Sequence, residues 1–335
     1  MNPGASWAVV LGPGRSGSTV LDLELGRQGV IAVGELHHVW QRAGVENQQC
    51  GCGLRAHDCP FWTSVLNRAL GPEWPTRCQE LEAIRLEVAT YRAWPWLYFS
   101  ASWRGRARPL IEATSRLAAA IEGLVPAGSV IWDSSKSTPH ATILAAAGLR
   151  PVLVLLTRDP ADVAFSWARP KARVEADGRP MPRHGWLASG ARWDFAVISA
   201  LIEARRRRRP LVHVTYENLV DGGTPPDAIA AHFRRSNTPP SPEWLHAIGG
   251  NPARWTSANG PMVRDSRRHQ EQSGAVTMAA RLAALPGLLA LAAGYGLGWV
   301  DKVSPGYRTT PDRDPFVTSP EARAPAATPP PPDRD

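Results

Sequence analysis

The residues with the clearest chemical character lie near the N-terminus, in the run Gly12-Pro13-Gly14-Arg15-Ser16-Gly17-Ser18-Thr19. Glycines at this density let a turn aim successive backbone N–H groups inward. A helix starting behind the turn adds a positive dipole end, and together they form a cradle for a phosphate-type anion. Gly12, Gly17 and Thr19 fit the phosphate-loop spacing of Gly, four residues, then Gly-Lys-Ser/Thr. Ser18 stands at the lysine position, however, and the loop's cation is Arg15. An arginine here offers a planar, permanently charged fork to a phosphate oxygen and can stabilise a leaving group without a metal. Ser16, Ser18 and Thr19 add hydroxyl donors.

A second constellation is Arg158-Asp159-Pro160 with Ser166. It follows the apolar run Leu153–Leu156, so Arg158 falls at a strand's carboxyl end, where open α/β sheets bind ligands. Asp159 suits a helix N-cap and Pro160 the first helical turn. Ser166 lies about two helical turns further on, so Arg158 and Ser166 could share a second phosphate. Alone, the tripeptide reads as an ordinary cap with a solvated arginine. Glu35 follows the apolar run Val30–Gly34 and is placed to take a proton from an attacking hydroxyl. Its rivals as base are His37 and His38; a capping or surface glutamate is the bland alternative. Lys136 follows Val130–Trp132, where an ammonium could neutralise oxygens of a transferring group, or simply be solvated.

Taken together, these elements resemble the two signature elements of sulfotransferases that use 3′-phosphoadenosine 5′-phosphosulfate (PAPS). Gly14-Arg15-Ser16-Gly17-Ser18-Thr19 corresponds to the segment that holds the 5′-phosphosulfate, and Arg158 with Ser166 to the one that holds the 3′-phosphate. Gly34-Glu35, Asp133-Ser134-Ser135-Lys136 and Tyr216-Glu217-Asn218-Leu219 extend the likeness from Trp7 to about Leu219. A thinner continuation runs from His246 through Gly250–Arg254 to Tyr295 and resembles bacterial members. The resemblance implies a P-loop-like fold and transfer of a sulfuryl group from PAPS to a hydroxyl, or an amine, by in-line displacement, with no metal required. It implies Glu35 as base, as in the Gly-Glu pair of tyrosylprotein sulfotransferases, whereas cytosolic sulfotransferases use a histidine. Arg15 and Lys136 would stabilise charge, Tyr216 would lie near the adenosine, and Arg254 would reach the 3′-phosphate. The chain departs from cytosolic members in having no Arg-Lys-Gly loop.

Positioning such groups requires a sheet whose strand ends share one edge. Trp7–Leu11, Val30–Val33, Val130–Trp132, Pro151–Leu156 and Leu211–Val214 are continuous apolar runs. They alternate with helical spacing over Cys78–Trp94, Leu110–Leu124 and Trp186–Arg205. Buried strands alternating with helices predict an α/β fold of three layers, with a central, mainly parallel sheet flanked by helices. One domain over residues 1–303 is expected, with a helical insertion at about 35–128, followed by a Pro-rich, disordered tail over 304–335. Residues 169–185 read as a loop at the site, a lid or a plain surface insertion.

Composition narrows the classes. Lys plus Arg number 38 against 30 Asp plus Glu, a net charge of +8, which suits an anionic ligand. The run Arg205–Arg209 reads as a solvated helix end, and it lacks the interleaved aromatics of a nucleic-acid surface. No nucleic acid partner is expected; a small-molecule, sugar or lipid acceptor is, with aromatic lining from Trp40, Trp62, Trp94, Trp96 and Trp103. Residues 282–300 carry no charge, but a buried C-terminal helix broken near Gly294 is expected there rather than a membrane span. No secretory signal is visible, so a cytoplasmic location is expected. Cys50, Cys52 and Cys59 invite a zinc reading, with Cys78, His57 or His37 as the fourth ligand. The spacing is not that of a standard closed site, so buried thiols or a disulfide near the acceptor cleft are expected and no metal. The competing classes are a P-loop kinase or NTPase, which needs the missing lysine and a metal-binding aspartate such as Asp133 or Asp159, and a non-catalytic nucleotide or nucleic-acid binder.

Overall fold

The computed structural model describes residues 5–26, 28–173, 177–209, 211–220, 245–249, 274–298 and 300–302. The apolar runs form strands β1 (Ser6–Leu11), β2 (Ile31–Gly34), β3 (Val130–Asp133), β4 (Val152–Thr157) and β7 (Leu211–Thr215). Two short strands, β8 (Leu245–Ile248) and β9 (Val300–Lys302), close the edges. The order is β8-β2-β3-β1-β4-β7-β9, and every pairing in this sheet is parallel.

Period-two alternation sends successive side chains to opposite faces, and both faces are covered. Trp7, Val9, Leu11, Ile31, Val33, Ile131, Leu153 and Leu155 join the larger core cluster. Ala8, Val10, Trp132, Val154, Leu156, Val212 and Val214 join the other, against Leu21 and Leu25 of α1 (Ser18–Gly26) and Leu219 of α9 (Tyr216–Val220). The larger layer holds α2 (Pro60–Leu70), α3 (Trp74–Val88), α4 (Trp94–Phe99) and α5 (Ala101–Glu122), all between β2 and β3. To it also belong α6 (Thr138–Ala146), α7 (Pro160–Ala168), α8 (Trp186–Arg207), α10 (Gly274–Ala283) and α11 (Leu285–Gly296). The result is the α/β, P-loop-like arrangement of three layers around a parallel sheet.

Several expectations are corrected. The helix expected over Cys78–Trp94 is two helices, α3 and α4, separated by Ala89–Ala93, with Pro95 at the start of the second. Residues 169–185 are not all loop: β5 (Ala172–Arg173) and β6 (Arg179–Pro180) pair antiparallel. The C-terminal apolar stretch does not break at Gly294. It bends by 57° between α10 and α11, at Ala284, and Gly294 lies inside α11 against Val300 and Leu201. Its burial is one-sided, with Leu291 in the core and Leu282, Leu285 and Leu289 exposed. Among the described residues no single helix is long and apolar enough to cross a membrane, although the bent pair α10–α11 is by length and composition. The tail over 304–335 lies outside the described residues.

Candidate active site

Parallel pairing puts the carboxyl ends of β1, β2, β3, β4 and β7 along one edge, and each leads directly into a candidate residue: the glycine loop, Glu35, Lys136, Arg158 and Tyr216. The chain leaves β1 toward β2 on one side and returns past it to β4 on the other. The glycine loop therefore stands at the topological switch point of the sheet.

The loop's glycines are needed where they stand. Gly12 has φ +118°, and a Cβ there would lie 2.4 Å from the carbonyl oxygen of Leu156 on β4. Gly17 has φ +90°, and a Cβ would lie 2.4 Å from the Tyr216 ring. Behind it α1 begins, with Val20 N–H and Leu21 N–H donating to the Gly17 carbonyl. Ser16, Ser18 and Thr19 are buried. The Ser16 hydroxyl has no hydrogen-bond partner among the described residues. A buried, unsatisfied hydroxyl at the head of a helix points to a ligand that supplies the missing acceptor.

Lys136 organises the second part. Its φ of +56° is uncommon for a side-chain-bearing residue, and its N–H donates to the Val10 carbonyl (2.8 Å). The ammonium donates to Glu35 Oε1 (2.7 Å), to Ser18 Oγ (2.9 Å) and to the Ser134 carbonyl (2.7 Å). It thus joins the anion cradle to the candidate base. The other Glu35 oxygen accepts from Arg42 Nη1 at 2.6 Å. Burial alone would raise the Glu35 carboxyl's pKa, but the Lys136 and Arg42 cations outweigh it and hold the group well below the usual carboxylate range. The His37 and His38 rings lie against each other, centroids 3.6 Å apart and tilted by 40°. Burial pushes both imidazoles well below their ordinary value, helped for His37 by His38 and His140 and for His38 by Arg42. Each has a buried Nδ1 without a hydrogen-bond partner among the described residues. His37 also lines a small cavity with Trp40, Arg85, Leu110 and His140.

On the far side of the loop, the Arg158 guanidinium stacks over the Tyr216 ring (4.3 Å), the ring that Gly17 faces. Its Nε is buried without a hydrogen-bond partner among the described residues, 3.6 Å from Asp162 Oδ2. Asp159 caps α7, accepting from Ala161 N–H (2.8 Å), as its position predicts. The Ser166 hydroxyl does not meet Arg158; it accepts from Lys171 Nζ (3.2 Å), a cation absent from the sequence-based set. Arg15 is turned to the same side. Its guanidinium lies over Trp167 (4.7 Å) and donates to the Met181 sulfur, next to the β5–β6 ribbon. Arg15 also has a positive φ (71°). Arg254 lies outside the described residues.

The aspartates that a kinase would need are committed elsewhere. Asp133 is fully buried, hydrogen-bonded to His140 Nε2 (2.8 Å) and accepting from the Ser135 amide and hydroxyl. Asp159 pairs with Arg281 at 2.6 Å. The tryptophans divide: Trp40, Trp62 and Trp94 are core, whereas Trp96 is half exposed.

No family model matches the sequence, and no curated protein matches it. Among solved structures, the chain is similar to sulfotransferase STF9 from Mycobacterium avium (15% identity, 90% of this chain and 79% of that one, TM-score 0.41). It is also similar to the sulfotransferase domain from the Synechococcus PCC 7002 olefin synthase (16%, 87% and 95%, TM-score 0.37). A third is the sulfotransferase domain from the curacin biosynthetic pathway (17%, 85% and 90%, TM-score 0.36). All three are sulfotransferases by name; the reading of this chain rests on its own residues.

Proposed function

We propose that this protein is a sulfotransferase that moves a sulfuryl group from PAPS to a hydroxyl, or an amine, of a small-molecule, sugar or lipid acceptor. The observation that carries the reading is the Lys136 ammonium between Glu35 Oε1 and Ser18 Oγ. It couples a carboxylate to an anion cradle. The donor substrate supplies a sulfuryl group on a good leaving phosphate. The chain's residues bind and orient it: the glycine loop, with Ser16, Ser18 and Thr19, supports the 5′ end. Arg158, Ser166 and Lys171 support the 3′-phosphate, and the Tyr216 ring lies between these two groups. Arg15 and Lys136 stabilise the charge that grows on the leaving phosphate oxygen.

Glu35 accepts the acceptor's proton as the new O–S bond forms and the S–O bond to phosphate breaks, leaving adenosine 3′,5′-bisphosphate. In the ligand-free protein Lys136 holds the carboxylate far too acidic for that task. An incoming anion competes for the same ammonium, so its binding raises the basicity of Glu35 at the moment a base is needed. Incubation with PAPS labelled in the sulfuryl group and a panel of alcohols tests the reading. Label appears in an acceptor if it holds, and PAPS left intact across the panel opposes it.

A further inference from the structure

Cys50, Cys52 and Cys59 converge with His246, from β8, so that one ligand atom from each lies within 4.8 Å of every other. None of Cys78, His57 or His37, the partners expected from the sequence, takes part. His57 Nε2 lies against the Ala43 and Gly44 carbonyls, and burial pushes the Cys78 thiol up to about 12. No disulfide forms: all four cysteines are free.

The spacings have a specific shape. Cys52 Sγ to Cys59 Sγ is 3.7 Å, and Cys59 Sγ to Cys50 Sγ is 3.8 Å. His246 Nδ1 lies 3.5 Å from Cys59 Sγ and 3.8 Å from Cys50 Sγ. A tetrahedral zinc with bonds of about 2.3 Å to sulfur and 2.05 Å to nitrogen requires edges of about 3.8 Å between sulfurs and 3.6 Å between sulfur and nitrogen. A disulfide would need about 2.05 Å. These four distances lie close to four of the six edges of that tetrahedron, and the remaining two pairs lie within 4.8 Å. We propose that Cys50, Cys52, Cys59 and His246 form a structural Cys3His zinc site.

The protein side chains fill all four positions, which leaves no place for a reacting water and marks the site as structural. On binding, the three thiols release their protons to solvent. The imidazole is held for the task, stacked on Phe61 (4.4 Å, 3° between planes), while its backbone carbonyl accepts from Trp62 Nε1 (2.8 Å). Around it the Gly51 N–H donates to the Ala247 carbonyl (2.9 Å), and Cys59 is the N-cap of α2. The metal would therefore pin the start of the helical insertion to β8. Two residues beyond His246, the Ile248 carbonyl accepts from the Glu35 N–H at 2.8 Å. The zinc is thus a fastener behind the candidate base rather than a participant in the reaction.

The test reads metal, not activity, so it stands apart from the proposed sulfotransfer. The full chain, purified without chelator under reducing conditions, is expected to hold about one zinc per chain by elemental analysis. After chelator treatment and Co2+ addition, it should show the thiolate charge-transfer and intense visible bands of four-coordinate cobalt. Cys59→Ser and His246→Ala should lower zinc content at least fivefold while Cys78→Ala retains it; Cys52→Ser, at an exposed thiol, serves if Cys59→Ser does not fold. Amide exchange at Glu35 should quicken when zinc is removed. Zinc and cobalt both absent from the reduced wild-type chain, or content unchanged in the ligand variants, overturns the site.

Discussion

Replacing Lys136 with Met isolates the contact on which the proposed chemistry turns. Methionine keeps much of the apolar stem and the same backbone demand at φ +56°, so the change removes the charge together with the hydrogen bonds the ammonium donates to Glu35, Ser18 and Ser134. Both partners of the Lys136–Glu35 pair are 11–12% exposed, so the pair is largely screened from solvent. At 2.7 Å and an effective dielectric of about 20, their attraction is about 6 kcal/mol before desolvation is subtracted. Removing one partner of a buried pair costs about 3–5 kcal/mol. Arg42 stays on the other Glu35 oxygen, so we expect about 3 kcal/mol lost at pH 7 in urea unfolding. The pH dependence follows from the lowered pKa of Glu35. In the wild type the carboxylate's contribution is full above its unfolded-state value and is lost only as pH falls through the much lower folded value. In Lys136→Met the burial penalty is opposed by Arg42 and His38 but no longer by Lys136, so the group protonates at higher pH and the deficit shrinks toward about pH 4. A deficit under about 0.5 kcal/mol at pH 7, or one that does not change between pH 7 and pH 4, refutes the reasoning.

The other expectations are briefer. Glu35→Gln should lower turnover by about 10²–10⁴-fold with PAPS affinity kept, measured by steady-state kinetics; retained turnover would move the base to His37 or His38. The kcat/KM profile should be flat from about pH 5.5 to 8, because Glu35, His37 and His38 all have lowered values in the free protein and stay deprotonated there. A limb centred near the ordinary histidine value would contradict it. Arg158→Ala should weaken adenosine 3′,5′-bisphosphate binding by about 1.5–3 kcal/mol in calorimetry, more than it weakens adenosine 5′-phosphate. Gly17→Ala forces a Cβ into the Tyr216 ring at a positive φ and should lower stability by about 1–3 kcal/mol, read from thermal unfolding.

The five central strands were legible because each is buried on both faces and so is a continuous apolar run bounded by turns, as in Ala8-Val9-Val10-Leu11. The strand-end positions of Glu35, Lys136 and Arg158 followed from the same pattern. The edge strands β8 and β9 were missed because Leu245–Ile248 contains a histidine and Val300–Lys302 is three residues with two charges. Neither has the hydrophobic run that marks a central strand. That miss hid His246, because a ligand far along the chain is brought to Cys50 and Cys59 only by the pairing of β8 with β2. The low basicity of Glu35 was also invisible: besides Lys136 it depends on Arg42, which a 3-10 turn and a π-helical segment carry back over the carboxylate. Lys171 has no sequence signal because a lone lysine after a helix carries no pattern; its meeting with Ser166 is a matter of chain path.

The central claim is that the cradle between Gly12 and Arg158 accepts a nucleotide carrying phosphate at both ends of its ribose. Isothermal titration of the full chain with adenosine 3′,5′-bisphosphate, and separately with ATP and Mg2+, tests it most directly. Saturable binding of the bisphosphate that weakens in Arg158→Ala is expected, with little or no binding of ATP with Mg2+. Tight binding of ATP with Mg2+ and none of the bisphosphate would contradict it.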